Sequence, residues 1–162
     1  MDLVVLEQVR IAPRTPTAVT VPHRIDANLG DRITLLGYRL SKPDIQRSEP
    51  FTVTLYWEAQ TAIEDDYTVF VHLTTDHVPP HAQDDGQPRD GSYPTSVWEA
   101  GEVVADPHVL RIPTSLPVGD YQLLAGMYLL ETGERLLWLD HEGTPRGDYV
   151  PLRKMVIHSG DH

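Results

Sequence analysis

Residues 51–75, FTVTLYWEAQTAIEDDYTVFVHLTT, carry two runs of strict alternation. In the first, Phe51, Val53, Leu55, Trp57 and Ala59 share one parity, while Thr52, Thr54, Tyr56 and Glu58 share the other. After a polar break at 60–66 the pattern resumes, with Tyr67, Val69, Val71 and Leu73 against Thr68, Phe70, His72 and Thr74. A strand sends successive side chains to opposite faces, so each run has one apolar face and one wetter face. Two long β-rich runs with a short polar connection predict neighbouring antiparallel strands at the centre of a sandwich.

The flanking segments repeat the theme more weakly. Leu3, Val5, Val9 and Ile11 suggest an edge strand that tolerates Glu7. Residues 18–21 read as a short strand, 23–30 as a polar segment, and 28–31 as a turn. In ITLLGYRL (33–40), Leu36, Tyr38 and Leu40 fall on one face and Ile33 and Leu35 on the other, with Gly37 signalling a bulge or a close backbone approach. Residues 102–112 form a further strand whose apolar parity shifts across Pro107, predicting a bulge or an edge. LPVGDY (116–121) is a turn, and 121–130 a strand with apolar residues on both parities. Gly133 marks a hairpin loop, 135–140 a returning strand, 149–158 a last strand and 159–162 a tail. No amphipathic helix and no internal repeat stand out. The reading is an all-β, antiparallel two-sheet β-sandwich, immunoglobulin-like or jelly-roll, of about nine strands. It makes residues 1–162 one domain with a long irregular loop at 78–102, and the sandwich is expected to be complete without that loop.

Composition bounds the function. The formal net charge of −11, from 24 acidic and 13 basic side chains, repels phosphate backbones and anionic membrane surfaces. Nucleic acid and direct membrane insertion are therefore not expected. No uncharged run approaches the roughly 20 residues that span a bilayer. With no cysteine, thiol catalysis, disulfides and zinc–thiolate sites are excluded. The start MDLVVLEQVR lacks the basic and apolar regions of a secretory signal. That leaves a cytoplasmic protein or a domain of a longer chain.

Several runs together carry a resemblance. LLGYRL (35–40), FTVTLYWEA (51–59), DYTVFVHL (66–73), QDDGQP (83–88), YPTSVWEAGEVVAD (93–106), LPVGDYQLLAGMY (116–128) and TGERL (132–136) resemble a bacterial extracytoplasmic β-sandwich domain. Such domains often follow a multi-pass membrane region similar to dolichyl-phosphate-mannose–protein mannosyltransferases. The resemblance spans about 33–156 and implies an appendage on the outer side of a membrane. Sugar transfer would belong to the membrane-embedded parent, and no catalytic residue carries over.

Three constellations are candidates for chemistry. Asp84, Asp85 and Asp90, with Glu102 and Asp106 downstream, offer the hard oxygens calcium takes, but the spacing is no EF-hand and the Asp-Gly pairs make turns unaided. His72, His77 and His81 show no zinc spacing, and His72 reads as a hydrogen-bonded strand residue. No metal or other cofactor is expected. Tyr93 and Trp98 flank the irregular loop, where a sugar ring could stack while carboxylates bind its hydroxyls; Trp57 reads as core. There is no GxSxG and no phosphate loop. The expected function is thus a non-catalytic extracytoplasmic binding module of a glycosyltransferase-like membrane protein, taking neutral glycans at Tyr93, Trp98, Asp84, Asp85, Asp90 and Glu102. The alternatives are a carbohydrate-active hydrolase using the acids of 84–106, and a structural spacer.

Overall fold

The computed structural model describes residues 20–75 and 79–158. The expected strand at 3–11, the first half of 18–21, His77 and the tail at 159–162 lie outside them. Among the described residues ten strands run in the order β1 (His23–Leu29), β2 (Ile33–Leu40), β3 (Pro50–Ala59), β4 (Thr68–Thr74), β5 (Ala82–Gly86), β6 (Val103–Arg111), β7 (Gly119–Tyr128), β8 (Trp138–Leu139), β9 (Pro145–Gly147) and β10 (Val150–Ile157). They form a six-stranded sheet, β9-β8-β1-β2-β3-β6, and a four-stranded sheet, β10-β7-β4-β5. All pairings between these strands are antiparallel. Helical structure among the described residues is limited to two 3-10 turns, Pro88–Gly91 and Thr95–Val97, and no helix there is long and apolar enough to cross a membrane.

The chain crosses between sheets after β3, β5, β6, β7 and β9. As a result β3 pairs with β6 on one sheet, while β4 pairs with β7 on the other. This interlocked pairing is the Greek key of immunoglobulin-like sandwiches, which selects between the two expected topologies. A second immunoglobulin-like feature sits at the start of β7. The Tyr121 hydroxyl donates to the Pro117 carbonyl at 2.7 Å, a tyrosine corner made from the LPVGDY turn.

The alternating runs at 51–75 have the expected inward parities. Phe51, Val53, Leu55, Trp57 and Ala59 on β3 are buried, as are Val69, Val71 and Leu73 on β4. The two strands are not sheet neighbours, however: β3 lies in the six-stranded sheet and β4 in the four-stranded one. Residues 60–67 carry the chain across, so the two apolar faces meet each other to make the core. Alternation sets which face is buried, and it says nothing about which strand lies alongside.

Other local expectations are corrected by backbone detail. The polar segment after 22 is strand β1; a bulge between Arg24 and Ala27, with Asp26 at φ 57°, hides its period. On β2 the expected bulge at Gly37 is present, between Leu35 and Gly37. It rephases the strand, so Ile33, Leu35 and Tyr38 all join the core rather than dividing between faces. A Cβ on Gly37 would lie 2.0 Å from the His23 carbonyl oxygen, so no other residue fits there without backbone movement. Strand β6 is an edge strand, as Pro107 suggested, but it has no bulge: its register against β3 is unbroken from Val103 to Arg111. Its inward residues are Val104, Asp106, His108 and Leu110, two of them polar. After the loop around Gly133 the chain touches β7 only at Tyr128–Arg135, then runs to the other sheet, where β8 pairs β1.

The segment 78–102 is not dispensable to the sandwich. It supplies the edge strand β5, and Trp98 joins the core at 3% exposure. Buried Thr95 accepts from the Tyr67 N–H at 3.0 Å and donates to the Asp65 carbonyl at 2.6 Å. These anchors are single side chains on 3-10 turns, which have no strand period to betray them.

Candidate functional site

Among the described residues strand β5 is the open edge of the four-stranded sheet, and its two aspartates point to opposite faces. Asp84 turns inward, toward the open edge β6 of the other sheet. Its Oδ2 lies 2.8 Å from His108 Nδ1, and His108 Nε2 lies 2.6 Å from Asp106 Oδ2. Asp106 also accepts from Trp57 Nε1 at 3.2 Å and, on Oδ1, from the Arg89 backbone N–H at 2.7 Å. Asp106 is 0% and His108 3% exposed. Burial alone would lower the His108 pKa; the hydrogen bonds and charges of Asp106, then of Asp84, outweigh it and hold the pKa above the usual imidazole range.

Asp85 turns outward and belongs to a second cluster. Phe70 on β4 stands between Gly126 of β7 and Asp85 of β5. A Cβ on Gly126 would fall 2.5 Å from Phe70 Cζ, so the glycine is what lets the ring lie on the sheet. The Arg135 guanidinium covers that ring at 4.2 Å. Asp85 Oδ2 accepts from the Tyr128 hydroxyl at 3.0 Å, and His72 Nε2 is 3.7 Å from Asp85 Oδ1. Arg135 in turn reaches Asp148 at 3.4 Å, with a third of its side chain exposed. His72 and Tyr128 flank Phe70 at ring separations of 4.9 and 6.1 Å. Burial pushes the His72 pKa down against the pull of Asp85. Burial and Asp85 both push the Tyr128 phenol up. The cluster presents an acceptor, a phenol, an imidazole and a guanidinium on one sheet face.

The six residues singled out by sequence therefore separate. Asp84 and Asp85 sit back to back on β5, one in each cluster. Tyr93 is half-buried and its hydroxyl donates to Glu102, whose other oxygen accepts from the Glu99 N–H at 2.8 Å. Trp98 is buried, with its indole N–H given to the Tyr93 carbonyl at 2.9 Å, so its ring presents no open face for stacking. Asp90 is exposed on the 88–91 turn, where Arg89 and Asp90 take φ of 56° and 57°. Among the described residues no group of three or more His, Cys, Asp or Glu side chains has the geometry to hold a metal ion. Sequence reading passed over His108, Phe70, Tyr128 and Arg135. The only signal for His108 was Asp-x-His on an otherwise apolar parity; the outer cluster is assembled from three strands and a loop and had none.

No family model matches this chain, and no curated protein does. Among solved structures it is similar to the C-terminal domain of wzt, with a TM-score of 0.53 and 14% identity over 88% of this chain and 84% of that one. A Niemann-Pick type C2 protein from Japanese carpenter ant gives a TM-score of 0.47 and 8% identity, over 76% of this chain and 91% of that one. At 14% identity the wzt likeness is one of fold, and it agrees with the β-sandwich described above.

Proposed function

We propose that the chain is a non-catalytic recognition module for neutral glycans, and that the outer face of its four-stranded sheet is the binding surface. The observation that carries this reading is the Gly126–Phe70–Arg135 stack with Asp85, Tyr128 and His72 around it. A polyhydroxyl ligand needs donors and acceptors interleaved beside a flat surface; Phe70 is 1% exposed beneath Arg135, so the guanidinium plane is that surface, and Asp85, Tyr128 and His72 supply the polar groups around it. Arg135 beside Asp148 balances charge locally, while the chain as a whole carries −11 and repels polyanions. A neutral sugar suits that field better than an acidic one.

Hydrolysis has less support. A glycosidase places two carboxyl groups roughly 5–10 Å apart across a cleft, free to meet substrate. Here Asp84 and Asp106 are bridged by His108, and Glu102 is held by Tyr93 and the Glu99 N–H. In the same reading the module is an extracytoplasmic appendage of a longer, glycosyltransferase-like membrane protein; the ordered motifs from 35 to 136 support that placement, and the full open reading frame tests it. Titration of neutral and acidic oligosaccharides against 15N-labelled protein tests the binding reading. Shifts confined to β4, β5 and β7 with neutral glycans are expected, reduced by Arg135→Ala and Tyr128→Phe. Release of free sugar, lost in Asp85→Asn, would make the hydrolase reading correct instead.

A further inference from the structure

We infer that His108 is a charged clasp: a doubly protonated imidazolium joins the open edges of the two sheets through Asp84 and Asp106, and loss of one proton releases β5. Both ring nitrogens lie within 2.8 Å of carboxylate oxygens. An ionised carboxylate only accepts, so each nitrogen must donate, and only the imidazolium has two N–H groups. A carboxylic acid at Asp106 is the competing arrangement, and the geometry disfavours it. An O–H on Asp106 would have to go to an unprotonated His108 Nε2, while Trp57 Nε1 and the Arg89 N–H donate to the same carboxyl group whatever its state, and two fixed donors on one buried carboxyl favour the ionised form.

Among the described residues the surroundings of His108 hold no rival charge. Strand β5 presents Asp84, and its own strand presents Asp106. Opposite, β3 contributes Val53, Leu55 and Trp57, all uncharged. The 88–91 turn contributes the Arg89 backbone N–H, its guanidinium lying instead 3.4 Å from the Ala105 carbonyl. The net effect of burial against the two carboxylates favours the charged ring.

The consequences of deprotonation follow from exposure. Asp106 is fully buried and cannot turn to water, whereas the Asp84 side chain is 37% exposed and can. The one remaining proton therefore stays on Nε2, facing Asp106. Nδ1 then presents a lone pair to Asp84, and the link between the sheet edges becomes a repulsion. Among the described residues strand β5 pairs only with β4, so it is the element that loosens. Asp85 is the next residue on β5, so glycan affinity falls in the same transition; that last step alone rests on the proposed function.

Two measurements test the clasp without any ligand. Long-range 1H–15N spectra of the His108 ring, from about pH 5 to about 9, report the protonation of each nitrogen. Both are expected to carry protons at the acid end, and Nδ1 alone to lose its proton as pH rises. Hydrogen-exchange protection of the β5 amides should fall about tenfold through the same transition. It should stay flat in His108→Gln. Asp84→Asn, an edge change that leaves the core intact, should move the ring transition to lower pH. A ring with one proton at the acid end overturns the clasp, as does β5 protection that ignores the ring titration. Glycan binding that does not follow pH while β5 loosens leaves the clasp standing and overturns only the coupling to Asp85. Absence of glycan binding at all pH values overturns the module reading and leaves the clasp untouched.

Discussion

Trp57 shows how one residue serves two roles. Its ring is fully buried between the sheets, and its N–H is a donor to the fully buried Asp106. Trp57→Ala should therefore cost about 3–5 kcal/mol in urea unfolding, because it opens a large cavity and strips a donor from a buried carboxylate. A loss below about 1 kcal/mol would mean that the strand phase is wrong. Trp57→Phe fills most of the volume and leaves the acceptor unmet, so comparing the two variants separates packing from hydrogen bonding. Trp98 carries a related lesson. An aromatic in a polar loop reads as a ligand platform, yet here it is a core plug with its polar atom satisfied at home. Trp98→Ala should lower the melting temperature; glycan affinity measured well below that temperature should hardly change.

At the scale of elements, the glycines on β2 and β7 decide how their strands are used. Gly37 permits the close approach of β1 to the bulged β2, and Gly126 permits the Phe70 ring to lie on the outer face. Gly126→Ala should cost about 1–3 kcal/mol through overpacking. It should also displace Phe70 and Arg135, so its chemical-shift changes should centre on the outer face rather than the core. The turn into β7 offers a milder test. Tyr121→Phe keeps the ring and removes the hydroxyl bond to Pro117, for an expected loss of about 1 kcal/mol. Strand β6 is protected differently. It is a long edge with an unbroken register, and Pro107 in its middle removes a backbone donor that another chain could use.

Across the whole molecule, two histidines on different sheets tie stability to pH in opposite senses. His108 has a raised folded pKa, so its contribution is full below the unfolded value of about 6.5 and is lost as pH rises through the folded value. His72 has a lowered folded pKa, so its contribution is full above about 6.5 and is lost as pH falls through the folded value. Unfolding free energy plotted against pH should therefore show an alkaline decline that His108→Gln removes. The acid-side decline should shrink in His72→Gln. If both variants parallel the native profile, neither histidine is coupled to folding in the way the geometry requires.

The fold class was legible in the sequence because alternation is a local property. Each residue of β3 and β4 declares its own face, and no distant partner is needed to read it. Strand identity at β7 and β10, the turn at 28–31 and the bulge at Gly37 were legible for the same reason, since period, turn chemistry and close approach leave short-range marks. Sheet membership was not legible. The 60–67 connection allows either a neighbouring strand or a crossing, and only the pairing of β3 with β6 and β4 with β7 decides between them. Of the residues in the outer-face cluster, the sequence reading singled out Asp85 alone for ligand binding. Asp84 and His108 are 24 residues apart and meet only because two sheet edges close on each other. Phe70, Asp85, Tyr128 and Arg135 come from three strands and a loop, and their convergence is a property of register. Local chemistry determined which faces are buried, whereas the tertiary structure alone decided which polar groups meet, because a hydrogen bond of about 3 Å depends on positions that the chain sets only after it has crossed the core.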